Sequence, residues 1–314
     1  AMSTPTVTVE DFHTRHGATL ELKLLAGKEG MGNKILEGSV NRPGLALAGF
    51  TKYFAEKRVQ VFGFTENHYL HSISQRLLQV RAHRFFSSGV PCVIFARSIN
   101  PPDTFLEEAD KLKVPIFKCP LITMRLVNQA TIFLEVDFAP TCTEHGSTVD
   151  IQGIGVMLRG SSGIGKSECV LSLLERGYSL VADDVTKIRL MNGCDLVCTA
   201  PEMTRNHMEV RGIGIINVMS MFGVGAIRLD KILNIVVSLQ EWEKVTDVDR
   251  LGLDREFIDI LGMKVPHVTI PVRPGRDLAR LVEVAAFDQK LKSMGSNAAL
   301  EFNRRLIQKM APAT

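Results

Sequence analysis

The stretch Gly160-Ser161-Ser162-Gly163-Ile164-Gly165-Lys166-Ser167 decides the fold of the carboxyl-terminal half of the chain. It fits the eight-residue phosphate-binding loop, which lies between a strand and a helix. Residues 149–158 precede it with the pattern of a strand, a glycine turn and a second strand, and residues 165–176 follow with a helical pattern. We therefore predict that the loop glycines turn backbone N–H groups toward phosphate, that Lys166 reaches the β- and γ-phosphates, and that Ser167 offers its hydroxyl to Mg²⁺.

An acidic pair follows the next predicted strand, residues 178–182. Asp183 and Asp184 lie 17 and 18 residues after Lys166. In an open parallel sheet, ligands collect beyond the carboxyl ends of the strands, where the phosphate loop also lies. We expect the pair to bind Mg²⁺ directly or through water, or to accept a proton from a hydroxyl group.

Two further segments carry charged side chains on turns. Residues 209–217 bring Glu209 and Arg211 to a glycine turn, which has only a weak resemblance to a dinucleotide-binding loop because a third spaced glycine is missing. The turn at 271–276 carries Arg273 and Arg276, which suits an anion and equally suits a solvated loop. A single histidine, His145, precedes the strand pattern and indicates little by itself.

The amino-terminal half alternates apolar runs with helical patterns. The predicted strands are 59–63, 91–95 and 115–117, and the predicted helices are 66–86, 103–112 and 121–136. Strands separated by helices favour a parallel sheet. The fold class is thus α/β, with an amino-terminal parallel-sheet α/β domain at 1–136, a linker at 137–142 and a P-loop domain at 143–314. The latter domain ends in helices, one predicted at 297–310.

Composition excludes several classes of protein. With 314 residues, of which 45% are hydrophobic, the chain is long enough for two cores and is not mainly disordered. The 37 Lys and Arg nearly balance the 34 Asp and Glu, so no net charge favours nucleic acid or a membrane surface. The longest uncharged run, 212–227, is too short to span a bilayer. The six dispersed cysteines and the absence of a signal-peptide pattern favour a cytoplasmic protein.

Several motifs in this order carry a family resemblance. They are Asn41 to Gly49, His145-Gly146, Gly160 to Glu168, Leu180 to Asp184, Glu209 to Asn217, Asp249 to Leu253, Ile270 to Arg276 and Glu283 to Ala286. Together they resemble the HPr kinase/phosphorylase family of bacterial enzymes, and the match covers most of the chain. The resemblance implies a carboxyl-terminal P-loop kinase domain, ATP or pyrophosphate as phosphoryl donor, and a serine of the phosphocarrier HPr as acceptor. It also implies a homohexamer that regulates carbon metabolism.

The resemblance assigns a role to each matching residue. Lys166 becomes the phosphate-binding lysine, Ser167 and Glu209 become Mg²⁺ ligands, and Asp184 becomes the group that moves the proton in both directions of the reaction. The catalytic set is completed by His145 and Arg250, with Asp183 and Arg211 in support. The segment that carries Arg273 and Arg276 corresponds to the part that the family needs mainly for dephosphorylation.

Three positions depart from the family pattern, and two other functions stay open. The family usually has Asp at the position of Ser161, Ser at Asn41 and Asn at Asp288, and none of these changes removes a proposed catalytic group. The alternatives are a P-loop kinase of a small molecule, similar to a carboxykinase, and a nucleotide-binding regulator without catalysis. The intact acids argue against the regulator, because a decayed site would be expected to lose them first.

Overall fold

The computed structural model describes residues 6–244, 256–295 and 301. The described residues fall into two compact units, which divide between Ala139 and Pro140. All six cysteines are free thiols. Within the described residues, no helix is both long enough and apolar enough to cross a membrane.

The amino-terminal unit alternates short strands with helices. Its elements are β1 (Val7–Thr8), α1 (Val9–His16), β2 (Lys23–Ala26), β3 (Lys34–Ile35), β4 (Val40–Asn41), α2 (Gly44–Leu47), β5 (Val59–Phe62), α3 (Phe64–Ser72), α4 (Gln75–Phe86), β6 (Val93–Phe95), α5 (Asp103–Lys111), β7 (Ile116–Lys118) and α6 (Thr123–Phe138).

Five of these strands form a mixed sheet in the order β2-β7-β6-β5-β4, and β1 and β3 form a separate antiparallel pair. The pairs β4–β5, β5–β6 and β6–β7 are parallel, as predicted from the alternation of strands and helices. The prediction of a wholly parallel sheet is wrong at one edge, because β2 pairs with β7 in the antiparallel direction. β2 is only four residues long, and Ala26 is its one buried side chain, so its sequence gives only a weak strand signal.

One predicted helix is two helices in the structure. The sequence predicts a continuous helix over 66–86. In the structure α3 ends at Ser72, the backbone at Ile73 is extended, and α4 begins at Gln75. The Ser74 side chain caps α4 by accepting a hydrogen bond from the Leu77 amide at 3.4 Å. A serine in mid-pattern can thus serve as an N-cap and divide a long periodic segment.

The Asn41 to Gly49 motif has a structural role in this unit. The Asn41 side chain donates to Gln60 Oε1 at 2.8 Å, and Gln60 is fully buried. The Arg42 guanidinium forms two hydrogen bonds with Glu66, at 3.0 and 2.6 Å. Glu66 is buried and also accepts the Gly63 amide at 2.9 Å, at the first turn of α3. The motif therefore ties the end of β4 to the start of α3.

The carboxyl-terminal unit is built around a larger mixed sheet. Its elements are β8 (Thr141–His145), β9 (Ser147–Ile151), β10 (Ile154–Gly160), α7 (Lys166–Glu175), β11 (Ser179–Ala182), β12 (Val185–Met191), β13 (Asp195–Thr199), β14 (His207–Val210), β15 (Gly214–Asn217), α8 (Val218–Phe222), β16 (Asp230–Glu241), β17 (Glu256–Ile260), β18 (Met263–Val272) and α9 (Leu278–Ser293).

Three neighbouring parallel strands form the centre of this sheet. β16 pairs in parallel with β10 on one side and with β18 on the other. β9 and β10 form an antiparallel hairpin, which confirms the predicted strand, glycine turn and strand. Helices α7 and α9 pack on the sheet over a buried apolar cluster that includes Val170, Leu173 and Val282. The predicted helix at 297–310 lies outside the described residues, apart from Glu301.

Candidate active site

The phosphate loop connects the end of β10 to the start of α7. Gly163 has a φ of 87° and Gly165 has a φ of 96°. Residues other than glycine rarely adopt this backbone conformation. Gly165 occupies the N-cap position of α7, so the first amides of that helix face the loop. A Cβ at Gly160 would lie 2.8 Å from Ile164 Cγ2, which explains the glycine at the first position. The loop and the helix N-terminus together form a site suited to an anion.

Lys166 and Asp184 form an ion pair across this site. Lys166 Nζ donates to Asp184 Oδ1 at 2.8 Å. The Lys166 side chain is 14% exposed, whereas the Asp184 side chain is 73% exposed. The hydrogen bond from Lys166 is the largest cause of the lowered pKa of the Asp184 carboxyl. Burial opposes it, and the charges of Lys166 and His145 lower the pKa by smaller amounts. Asp184 is therefore ionised at neutral pH, the form that can accept a proton.

The turn that carries Asp184 is tight and unusual for a residue with a side chain. Asp184 has a φ of 59°, and the Val185 amide donates to the Asp183 carbonyl oxygen at 2.6 Å. The Asp184 carbonyl accepts the Gly146 amide at 2.8 Å. Left-handed backbone at a residue other than glycine persists where surrounding contacts hold it, and it is frequent at functional sites.

Asp183 is the buried member of the acidic pair. Its Oδ1 accepts from Ser147 Oγ at 2.8 Å and its Oδ2 accepts the Glu209 amide at 3.1 Å. Burial raises the pKa of the Asp183 carboxyl above its ordinary value, and the charge of Asp184 adds to that rise. Asp183 thus connects the end of β11 to the start of β9 and to Glu209 in β14, while the Asp184 side chain is exposed.

The β14–β15 hairpin brings Glu209 and Arg211 to the phosphate loop. Arg211 Nη2 donates to Ser162 Oγ at 2.7 Å. Glu209 lies directly opposite Ile215 in the hairpin, and both side chains are exposed. Gly212 lies in the hairpin turn and Gly214 begins β15, both with positive φ, so they do not form a dinucleotide-binding loop.

These side chains line one open cleft of about 230 Å³. Its lining residues are Ser161, Ser162, Gly163, Gly165, Lys166, Ser167, Glu168, Asp183, Asp184, Glu209 and Arg211. The structure thus brings together most of the residues predicted from the sequence, and adds Glu168. His145 is exposed at the end of β8, opposite Val185 in the neighbouring strand. Its charge acts on Asp184, although His145 is not part of the cleft lining.

Arg273 and Arg276 lie on the turn after β18 and contact an aromatic ring. The Arg273 guanidinium carbon lies 3.3 Å from the centroid of the Trp242 ring, and that of Arg276 lies 5.4 Å from it. Trp242 follows β16, so this cluster belongs to the sheet edge from which the phosphate loop leaves β10. Neither arginine belongs to the cleft lining. Arg250 and the motif at 249–253 lie outside the described residues.

The donor atoms of the cleft suit Mg²⁺ only when phosphate completes the coordination. Ser167 and Glu209 supply oxygen atoms, the ligand type that Mg²⁺ prefers. Within residues 6–244 and 256–295, no cluster of three or more His, Cys, Asp or Glu side chains could hold a metal ion. Mg²⁺ commonly takes one or two protein ligands together with substrate phosphates and water, and this arrangement fits that pattern.

Besides Glu168, two residues that contact predicted site residues were not themselves predicted from the sequence. Ser147 and Trp242 have no motif of their own, and each acts through contact with a residue distant along the chain. The one available signal for Ser147 is a polar side chain next to the His145-Gly146 motif. Trp242 is the single tryptophan of the chain, but nothing in the sequence pairs it with a particular arginine.

Comparison with known proteins gives consistent matches along the chain. Residues 7–134 match the family model described as HPr Serine kinase N terminus, and residues 136–306 match that of the HPr Serine kinase C-terminal domain. The chain is 45% identical over 284 residues to the HPr kinase/phosphorylase of Brevibacillus brevis, covering 90% of this chain and 91% of that protein. It is 41% identical over 311 residues to the HPr kinase/phosphorylase of Geobacter sulfurreducens, covering 98% and 97% of the two chains.

A solved structure, the Hpr(Ser) kinase/phosphatase from Coxiella burnetii, is 33% identical with a TM-score of 0.47. That match covers 51% of this chain and 98% of the solved chain. The family models span both units, and the relatives align over nearly their whole length. The chain described here is therefore a member of the HPr serine kinase family.

Proposed function

We propose that this chain is a bifunctional HPr kinase/phosphorylase, which transfers the γ-phosphoryl group of ATP to a serine of HPr and removes it again by phosphorolysis. The observation that carries the proposal is the cleft itself, in a member of this family. The phosphate loop, Lys166 and Ser167 meet a carboxylate, Asp184, which is held 2.8 Å from the lysine ammonium. A phosphate-binding group and a proton acceptor at such a distance suit the transfer of a phosphoryl group to a hydroxyl group.

In the forward direction, the serine oxygen attacks the γ-phosphorus. A new P–O bond forms to serine, the bond to the β,γ-bridging oxygen breaks, and ADP leaves with the electron pair. Asp184 takes the proton of the serine hydroxyl. Lys166 and the loop amides offset the negative charge on the phosphoryl oxygens, which are already charged in the ground state.

In the reverse direction, inorganic phosphate attacks the phosphorus of phosphoserine. A new P–O bond forms to the attacking phosphate, which gives pyrophosphate. The P–O bond to serine breaks, and the serine oxygen leaves with the electron pair. Asp184 takes the proton of the attacking phosphate and returns it to the serine oxygen. One carboxylate serves both directions because both pass through the same kind of transition state. The same reversibility makes pyrophosphate an alternative phosphoryl donor.

Mg²⁺ belongs to this proposal as the partner of the phosphates. Ser167 and Glu209 would hold it, with Asp183 in support. The chemistry that the ion supplies when bound is neutralisation of charge on the phosphate oxygens.

The remaining roles extend the same proposal. Arg211 supports the phosphate loop, in keeping with its contact to Ser162. His145 and Arg250 complete the catalytic set, and Arg273 and Arg276 serve mainly dephosphorylation. We further propose that residues 143–314 form a P-loop kinase domain, joined through a linker at 137–142 to an α/β domain at 1–136. The enzyme acts in the cytoplasm as a homohexamer that regulates carbon metabolism.

A single experiment tests the central claim. The protein is mixed with ATP, Mg²⁺ and purified HPr, and the modified residue is identified by mass spectrometry. We expect one phosphoserine on HPr, which disappears with release of pyrophosphate when inorganic phosphate is added. If a metabolite is phosphorylated while HPr is not, the protein is a small-molecule kinase. Binding of ATP without transfer to either would indicate a nucleotide-binding regulator.

A further inference from the structure

Ser147 is a fully buried hydroxyl directly behind the acidic pair. It is the first residue of β9 and has no exposed surface. Its Oγ donates to Asp183 Oδ1 at 2.8 Å and accepts the Asp184 amide at 3.1 Å. One side chain therefore bridges the carboxylate of one acid and the backbone of the other. A buried hydroxyl with both its donor and its acceptor function used holds its neighbours in a defined geometry.

The turn at Asp184 needs such support. Its positive φ is energetically unfavourable for a residue with a side chain. The hydrogen bond from the Gly146 amide holds the Asp184 carbonyl, and the bond to Ser147 holds the Asp184 amide, so both peptide groups that flank Asp184 are fixed. Both bonds come from neighbouring residues, Gly146 between β8 and β9 and Ser147 at the start of β9. These two residues thus fix the direction in which the Asp184 carboxylate points.

Asp183 transmits the same support to the β14–β15 hairpin. Its second carboxylate oxygen accepts the Glu209 amide at 3.1 Å. Without the Ser147 hydroxyl, Asp183 Oδ1 would lose a hydrogen-bond donor in a site where the residue is only 8% exposed. A buried carboxylate that loses a donor tends to move toward water or another donor. Such a movement would shift both Glu209 and Asp184.

We propose that Ser147 is a positioning residue, which sets the Asp184 carboxylate for proton transfer by holding the Asp184 amide against the Asp183 carboxylate. The inference rests on the proposed function, because it assigns Ser147 a role in the reaction at Asp184. Ser147 itself does not touch the reacting atoms. Its effect should fall on the chemical step, since the hydrogen bonds of the Ser147 side chain go to Asp183 and Asp184 and not to the phosphate loop.

A nearby hydroxyl provides a matched control. Thr148, the next residue of β9, is also fully buried, and its hydroxyl lies 2.9 Å from that of Thr186. Thr186 in turn donates to the Gly146 carbonyl at 2.8 Å. Thr148→Val removes a buried hydroxyl from the same strand with nearly unchanged volume, and that hydroxyl makes no contact with the acidic pair among the described hydrogen bonds. It controls for the general cost of losing a buried hydrogen bond.

The experiment compares Ser147→Ala and Thr148→Val with the unaltered full-length protein. For each, kcat and the KM for ATP are measured with HPr, the rate of phosphorolysis is measured with phosphoserine-HPr, and urea unfolding checks the fold. For Ser147→Ala we expect kcat to fall roughly 10- to 100-fold, as for a misplaced catalytic group. The KM for ATP should change less than about twofold, and phosphorolysis should fall by the same factor as phosphorylation. Thr148→Val should keep kcat within about twofold, whatever its stability.

Amide hydrogen exchange supplies a measurement independent of activity. Exchange at Asp184 should accelerate in Ser147→Ala and not in Thr148→Val. The inference is wrong if Ser147→Ala retains kcat, if its loss appears in KM alone, or if both variants lose kcat in proportion to their stability. An unaltered protein that leaves HPr unmodified would overturn the proposed function and the catalytic role of Ser147 with it. Unchanged exchange at Asp184 would show that Ser147 does not hold the turn.

Discussion

Asp184 and Lys166 share one hydrogen bond, and that bond sets the ionisation of the proposed proton acceptor. A carboxyl with a lowered pKa is almost fully ionised at neutral pH, so it is ready to accept a proton but binds that proton weakly. The phosphates of ATP would compete for the same ammonium, because Lys166 is the lysine of the loop. Contact with phosphate and the basicity of Asp184 are therefore linked at the level of single residues.

Replacement of Asp184 by asparagine should separate binding from chemistry. Asp184→Asn keeps the size of the side chain and removes the proton acceptor, so both phosphorylation and phosphorolysis should fall by about 10²- to 10⁴-fold. Binding of ATP, measured at equilibrium with a labelled nucleotide, should be largely kept. Turnover near that of the unaltered protein would show that another group moves the proton.

Replacement of Lys166 by alanine should affect both ATP binding and the pKa of Asp184. Affinity for ATP and turnover should both fall, because the ammonium contacts phosphate in the ground state and in the transition state. The pKa of Asp184 should rise, since its hydrogen bond from Lys166 is the largest cause of its low value. Carbon-13 NMR of the carboxyl group measures that pKa directly. Unchanged ATP affinity would contradict the assignment of the phosphate loop.

The same pairing predicts a small pH dependence of stability. Because the folded-state pKa of Asp184 is lowered, its stabilising contribution is present above the ordinary value of 3.8 and is lost as the pH falls through the folded-state value. The contribution should be small, because the Asp184 side chain is 73% exposed. Urea unfolding at pH 7 and near pH 3 should show less acid destabilisation in Lys166→Ala than in the unaltered protein. A larger acid effect in the variant would contradict the sign.

Among elements, the edge formed by β10, β16 and β18 determines where charge accumulates. The register pairs Gly160 with Leu239 and Glu241 with Val272, so the three strands end near one another. The phosphate loop follows β10, Trp242 follows β16, and the Arg273 turn follows β18. Parallel strands bring their carboxyl ends to one edge, which is why groups far apart in sequence collect there.

Substitution of Arg273 tests the role of this edge. Phosphorolysis places an attacking phosphate in the site beside the phosphoryl group, so it should need more positive charge than phosphorylation does. Arg273→Ala should therefore reduce phosphate-dependent release of pyrophosphate considerably more than it reduces ATP-dependent phosphorylation of HPr. Both initial rates are measured on one preparation. Arg280→Ala, an exposed arginine on the first turn of α9, serves as the control.

Two outcomes would contradict this assignment of Arg273. Equal losses in both directions would indicate general damage to the site or to HPr docking. An unchanged rate in both would leave the turn without a catalytic role. Fluorescence of Trp242, the single tryptophan, should change in Arg273→Ala because the guanidinium lies against its ring, which confirms that the contact itself has been removed.

At the scale of the whole molecule, the two units have separate cores and separate stabilising contacts. The amino-terminal unit depends on the buried carboxylate of Glu66, which pairs with Arg42 and accepts the Gly63 amide. Glu66→Ala leaves Arg42 unpaired and α3 without this cap. We expect a loss of about 1–3 kcal/mol of unfolding free energy in this unit, since the Arg42 end of the pair is partly exposed.

Hydrogen exchange can locate that loss. Protection should fall within residues 6–139 and change less within residues 140–244. The matched control is Glu37→Ala, which removes a partly exposed carboxylate from its pair with Arg58 and should cost less than about 1 kcal/mol. An equal effect of the two substitutions would contradict the structural role given to Glu66.

Features encoded by contiguous residues could be predicted from the sequence. The phosphate loop, its helix and the hairpin before it depend on glycine conformations and on local periodicity, so a short segment specifies them. The position of Asp183 and Asp184 could also be predicted, because both follow a predicted strand and therefore lie at the edge of the sheet where the phosphate loop lies. The alternation of strands and helices indicated the parallel pairs β4–β5, β5–β6 and β6–β7, but it did not reveal the antiparallel edge strand β2 or the break at Ile73.

Contacts between distant segments required the tertiary structure. Ser147 lies 36 residues before Asp183, and only the pairing of β9 with β11 brings its hydroxyl to that carboxylate. Trp242 and Arg273 meet because β16 and β18 end side by side. Strand order depends on the free energy of the whole packed sheet, in which every strand competes for neighbours, and no local pattern encodes that competition. The sequence therefore determined which groups could bind and transfer phosphate, and the fold decided which buried side chains hold those groups in position.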